Sequence, residues 1–83
     1  MGRWLVLGEG GVLAVDRIVS IAQARSAPIR RLAEAVGAKQ MVDLTFGQSR
    51  EAVVVLDSGH VVAVSLTPEE LVERLQEVED GEV

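Results

Sequence analysis

Asp57-Ser58-Gly59-His60 places an acid, a hydroxyl and an imidazole within four residues. In nucleophilic catalysis the imidazole takes the hydroxyl proton and a carboxylate orients the ring. Residues packed this closely in one turn do not hold that relay geometry, and no second acid or base accompanies them. His60 is the only histidine and the chain has no cysteine, so a metal site lacks ligands. Gly8-Glu9-Gly10-Gly11 resembles the start of a phosphate loop, but position 13 is Leu and the next segment reads as strand, whereas a phosphate loop opens directly into a helix. The expectation is therefore no enzyme, no cofactor, no metal and no small-molecule substrate. The remaining candidates are basic or hydrogen-bonding: Arg17, Arg30, Arg31 and Arg50, with Gln48 and Ser49 beside the last. A guanidinium presents a fork of donors that matches a phosphate, and amide or hydroxyl groups donate to phosphate without charge. Each also has a plain structural reading: Arg17 as an ion pair with Asp16, and Arg30 and Arg31 as a solvated helix face.

Charge is sorted along the chain. The formal net charge is −5, which opposes nucleic acid if taken as a total. Residues 17–50, however, hold six basic side chains against two acidic ones, and residues 51–83 hold one against nine. Sorting of this kind in sequence becomes two faces in space when the fold keeps the segments apart, one attracting an anion and one repelling it.

The elements that would position these residues follow from periodicity. Trp4-Leu5-Val6-Leu7 and the apolar stretch from Val12 to Val15 read as strands joined by the glycine turn. Arg17 opens Arg17-Ile18-Val19-Ser20-Ile21, a mostly buried strand with apolar residues on both sides. Ser26 or Ala27 caps a helix with Pro28 in its first turn, whose stripe is Ile29, Leu32, Ala33 and Val36 and which Gly37 ends. Val42, Leu44 and Phe46 form the apolar side of a half-buried strand, followed by the polar loop Gly47 to Arg50. Glu51 to Leu56 is a central strand, and Asp57 to His60 turns it into Val61 to Ser65. Thr67-Pro68-Glu69-Glu70 has capping-box spacing and opens a second helix with Leu71, Leu75 and Val78 as its stripe and Val72 widening it. Glu69, Glu70, Glu73 and Glu77 face away from that stripe, and the acidic first turn suits the helix dipole. The fold class is α+β: a small, mostly antiparallel sheet with two helices, in the order β-β-α-β-β-β-α. Residues 1–83 make one domain, with 78–83 a frayed acidic tail.

At 83 residues the chain buries about 60% of the surface it exposes when unfolded, yet 48% of its residues are hydrophobic. That is more aliphatic surface than so small a core hides, so part of it is expected in a contact between copies. The apolar start is too short for a signal peptide and no run approaches a membrane span, so the reading is cytoplasmic, without membrane.

With these residues in view, the chain resembles the bacterial RemA family of extracellular matrix regulators, roughly from Leu5 to Leu75. The resemblance rests on Leu7-Gly8-Glu9-Gly10-Gly11, Asp16-Arg17-Ile18-Val19-Ser20-Ile21 and Ser26-Ala27-Pro28-Ile29-Arg30-Arg31. It continues through Asp43-Leu44-Thr45-Phe46-Gly47, Asp57-Ser58-Gly59-His60-Val61 and the Pro68-Glu69 helix start. It implies a LytTR-like fold and a nucleoid-associated, DNA-binding transcriptional regulator that closes into a ring homo-oligomer, with biofilm matrix genes as a possible output. In that family the arginine opening the second strand pattern, here Arg17, and the basic residues after the Phe/Tyr-Gly pair are associated with DNA. Where relatives resemble Gly-Arg-Arg-Thr-Arg, this chain has Gly47-Gln48-Ser49-Arg50-Glu51. The implied nucleic-acid-binding set is Arg17, Gln48, Ser49, Arg50, Arg30 and Arg31, with Pro28 and Gly47 structural. The expected partners are double-stranded DNA, AT-rich or otherwise bendable, and the protein itself. The alternative is an oligomeric protein-interaction module without DNA binding, to which the substitutions at Gln48, Ser49 and Glu51 point.

Overall fold

The computed structural model describes residues 3–8 and 11–80. Strands β1 (Trp4–Gly8) and β2 (Gly11–Ala14) form an antiparallel hairpin in which Trp4 faces Ala14 and Val6 faces Val12. A 3-10 turn, Val15–Arg17, separates β2 from β3 (Ile18–Gln23), dividing the stretch before the first helix. Helix α1 (Ala27–Val36) follows, then β4 (Met41–Leu44), β5 (Ala52–Leu56), β6 (Val61–Val64) and α2 (Pro68–Asp80). The result is the α+β class expected, with four strands in the order β3-β5-β6-β4 and the hairpin as a second small sheet. β5 pairs antiparallel with both β3 and β6, and β4 pairs parallel with β6. β3 and β4 thus run the same way at opposite edges, joined through α1, and the β5–β6 hairpin sits between them.

That insertion explains the burial. β5 and β6 are central, so Ala52, Val53, Val54 and Val61 to Val64 are all buried, as their unbroken β-branched run requires. One face of the sheet, with Ala52, Val54, Val62 and Val64, packs against Leu5, Leu7 and Leu13 of the hairpin and Leu71 of α2. The opposite face carries the buried Val53, Val61 and Ala63 on the side of α1.

Both helices start as their sequences dictate. Ser26 Oγ accepts the Ile29 N–H at 3.3 Å, and Pro28 occupies the first turn of α1. At α2 the capping box is reciprocal: Glu70 N–H donates to Thr67 Oγ1 at 3.1 Å, and Thr67 N–H to Glu70 Oε1 at 3.0 Å. The β5–β6 turn closes with Gly59 at φ 91°, where a side chain is strained.

Two sequence expectations are corrected. β3 is an edge strand and not mostly buried: a register irregularity between Ile18 and Ser20 turns Val19 outward, 64% exposed. The strand through Val42 ends at Leu44, because Thr45 donates both its N–H (3.0 Å) and its hydroxyl (2.6 Å) to Asp43 Oδ1. That local turn buries Thr45 and puts Phe46 at φ 54° and half exposed, so Phe46 is not on a buried strand face. Helix α2 runs to Asp80; residues 81–83 of the expected acidic tail, and Glu9 and Gly10 of the first turn, lie outside the described residues.

Candidate nucleic-acid interface

The register places Arg17 and the Gly47–Arg50 loop at opposite ends of the sheet. Ile18 pairs with Leu56 and Gln23 with Ala52, so Arg17 lies beyond one end of β5 and Arg50 beyond the other. With about 3.4 Å of rise per residue, the two points stand roughly 20 Å apart.

At the first end, Arg17 closes the 3-10 turn and its carbonyl accepts the Asp57 N–H at 2.8 Å, which fixes the backbone against the β5–β6 turn. Its Nη1 donates to Asp57 Oδ2 at 3.2 Å while the side chain remains 68% exposed. One carboxylate engages one edge of the guanidinium, leaving donors turned to solvent. The ion pair read between Arg17 and Asp16 does not form: Asp16 lies instead 3.5 Å from Arg3. In the same turn Ser58 Oγ and His60 Nδ1 are 2.7 Å apart, but Asp57 serves Arg17 and not the imidazole, so the acid of a triad is absent from this turn.

At the second end, Arg50 Nη2 lies 3.6 Å from Asp43 Oδ2. The Asp43 carboxyl is held below the usual carboxylate range, first by the Thr45 hydroxyl, then by the Thr45 N–H, with Arg50 adding to both. Gln48 is exposed, its N–H bonded to the Thr45 carbonyl at 3.1 Å. Gly47 sits at φ 85°, the left-handed conformation that lets the loop reverse after Phe46. Ser49 Oγ donates to Glu51 Oε2 at 2.9 Å, so its hydroxyl proton is already committed within the chain. Arg30 joins this end: with Ile29, Ala33, Glu34, Met41, Val53 and Arg50 it borders a groove of about 250 Å³ between α1 and the sheet. Arg31, one residue on, is exposed on the outer side of α1 and is not part of that groove.

The fold thus gathers Arg30, Gln48, Ser49 and Arg50 at one end, keeps Arg17 at the other, and leaves Arg31 apart. Sequence reasoning missed the partners Asp43 and Asp57. Only the register, not the spacing, brings Asp57 to Arg17 across 40 residues; Asp43-x-Thr45 was a local signal for a turn that ends a strand. It also missed the groove between the hairpin and α2, where Trp4 and Val6 meet Glu70, Glu73 and Glu77.

A family model described as extracellular matrix regulatory protein A-like, RemA-like, matches residues 5–75. The chain belongs to the RemA-like family. The match runs from Leu5 within β1 through every later strand and most of α2, the stretch over which the resemblance was read. A candidate regulatory protein of Shouchella clausii is 40% identical over 76 residues, covering 90% of this chain and 87% of its own. Candidate regulatory proteins of Bacillus cytotoxicus and Bacillus mycoides are each 39% identical over 79 residues, covering 94% of this chain and 91% of theirs. These names and the family support a regulatory role. Among the described residues no helix is long and apolar enough to cross a membrane.

Proposed function

We propose that this RemA-like protein is a DNA-binding transcriptional regulator that works as a ring-shaped homo-oligomer in the cytoplasm, on the nucleoid, with biofilm matrix genes among its targets. The observation that carries the reading is Arg17: 68% exposed at the end of an edge strand, its backbone pinned by Asp57 and its guanidinium engaged along one edge only. Arg50 and Arg30 offer further cationic contacts about 20 Å away, and Gln48 an uncharged donor. Arg31 lies outside these two points and adds charge to the field more than a contact. Each subunit would contribute a few weak phosphate contacts, and a ring repeats them, so that affinity arises by multivalency. Contacts spread around a ring favour AT-rich or otherwise bendable duplexes and read shape more than bases.

A second reading, an oligomeric protein-interaction module without DNA contact, has a specific observation in its favour. Arg17 and Arg50 each face a carboxylate, and Ser49 is bonded to Glu51. Titrating a labelled AT-rich duplex, long enough to wrap a ring, across salt concentration separates the two. Saturable binding that weakens steeply with salt supports the regulator. No binding at low salt by the assembled protein, with binding appearing only after Gln48→Arg and Ser49→Arg, supports the interaction module.

A further inference from the structure

The loop between β4 and β5 turns on a residue whose type its conformation disfavours. Gln48 N–H donates to the Thr45 carbonyl at 3.1 Å, closing a four-residue turn whose two central residues, Phe46 and Gly47, have φ of 54° and 85°. Positive φ at both centres is the signature of a type I′ turn, where Asn or Asp ordinarily precedes Gly because a short polar side chain tolerates the left-handed region. Here the first centre is a phenylalanine, the one non-glycine residue at positive φ among the described residues. A bulky side chain in that region is an outlier that its surroundings must hold in place. Thr45, buried and bonded twice to Asp43, holds it from one side, and the Gln48 bond closes the other.

Core packing does not account for this strain. Phe46 is 47% exposed and belongs neither to the core nor to the apolar side chains packed against it. Its neighbours along the loop are polar: Gln48 is exposed, and Arg50 is engaged by Asp43 at 3.6 Å through one nitrogen only. An aromatic ring at the tip of a rigid turn, flanked by an amide and a guanidinium, is what enters a duplex. The polar groups meet phosphates and groove edges, and the ring goes between bases. An apolar protein surface would cover the ring as well, but it would leave the adjacent guanidinium unmatched.

We infer that Phe46 is a wedge: its ring enters the minor groove of bound DNA and inserts at a pyrimidine–purine step, with Gln48 at the base edges and Arg50 on a neighbouring phosphate. The inference rests on the DNA-binding reading and adds to it a residue that selects sequence. T-A steps unstack easily whereas A-tracts are stiff, so the wedge favours the first over the second at equal composition. A wedge repeated from subunit to subunit also places kinks along the duplex where it must bend. The strained backbone fits this role, because a turn fixed before DNA arrives leaves less to be ordered on binding.

Two labelled duplexes of equal length and composition, one rich in T-A steps and one of A-tracts, test the wedge when titrated across salt with wild type, Phe46→Asn and Phe46→Leu. Wild type is expected to favour the T-A duplex about tenfold or more, the order of one stacking contact. At saturation its bound thymines should become reactive to permanganate, which oxidises unstacked thymine. Phe46→Asn suits the turn, so its denaturation midpoint is expected at or above that of wild type, while the preference and the reactivity are lost and the salt slope stays the same. Phe46→Leu keeps a smaller wedge and part of the reactivity. Salt-sensitive binding by wild type with no T-A preference and no reactive thymines overturns the inference and leaves the DNA-binding reading standing. Phe46→Asn that matches wild type on both duplexes also overturns it. So does Phe46→Asn that melts well below wild type or no longer assembles, since the ring then serves the fold or another protein surface. Wild type that binds neither duplex at low salt removes the DNA-binding reading itself, and the wedge with it.

Discussion

In the proposed function the contacts to phosphate come from arginines held by single carboxylates. A surface ion pair contributes little to stability, so Arg17–Asp57 and Arg50–Asp43 matter for where they aim a guanidinium more than for holding the fold. Arg17→Ala is expected to weaken duplex binding by roughly tenfold, the order of one charge-assisted hydrogen bond, and to flatten its salt dependence while the assembly stays intact. Loss of assembly in that variant would place Arg17 between subunits. Asp43→Asn removes the charge that draws Arg50 back yet keeps an acceptor for Thr45, so duplex binding should tighten. Unchanged affinity in the same titration would place Arg50 off the DNA face. Asp43 and Glu70 both ionise more readily than ordinary carboxyls, Asp43 through the Thr45 hydroxyl and N–H, Glu70 through the Thr67 N–H and then its hydroxyl. Folded values below unfolded ones mean that the stabilisation is fully present above the ordinary carboxylate range. It is lost as pH falls through that range to the depressed values. Melting temperature should therefore decline below about pH 4, and the decline should be shallower in Glu70→Gln.

At the scale of elements, α2 and the β5–β6 hairpin hold the rest in place. Leu71 is fully buried against the sheet and hairpin, so Leu71→Ala should cost about 2–5 kcal/mol, read as a lower denaturation midpoint. A near-neutral result would mean that α2 is not anchored there. The turn after β5 depends on Gly59 at φ 91°, with Gln40 Nε2 3.4 Å from where a Cβ would lie. Gly59→Ala should cost roughly 1 kcal/mol in the same measurement, chiefly from the left-handed backbone. α1 contrasts with α2: although amphipathic, it buries none of its residues fully, so its position owes less to the core than that of α2.

The whole molecule is small enough for these local features to bear on its stability. Its core is one layer of side chains between the sheet, the hairpin and α2, and a domain of this size is marginal alone. An outward patch of Trp4, Val6 and Val12 remains after folding is complete. Covering it by association would raise stability by mass action, so the melting temperature is expected to increase with protein concentration. A melting temperature that does not change over a hundredfold range of concentration would indicate that folding and assembly are uncoupled.

The elements were legible in the sequence because each is announced locally. Ser26-Ala27-Pro28, the Thr67–Glu70 capping box, the Val-rich central strands and the Asp57–His60 turn all act within a few residues of chain. The family was legible for a related reason, since the order of such pieces over residues 5–75 is itself a property of the sequence. Strand order was not. That β5 and β6 insert between β3 and β4 depends on pairings across the chain, and this insertion makes β3 an edge and brings Asp57 to Arg17. The same tertiary step leaves Trp4 and Val6 outside while their neighbours Leu5 and Leu7 go in. Alternation along a strand divides side chains between two faces, but only the packing of the hairpin on the sheet decides which face meets water.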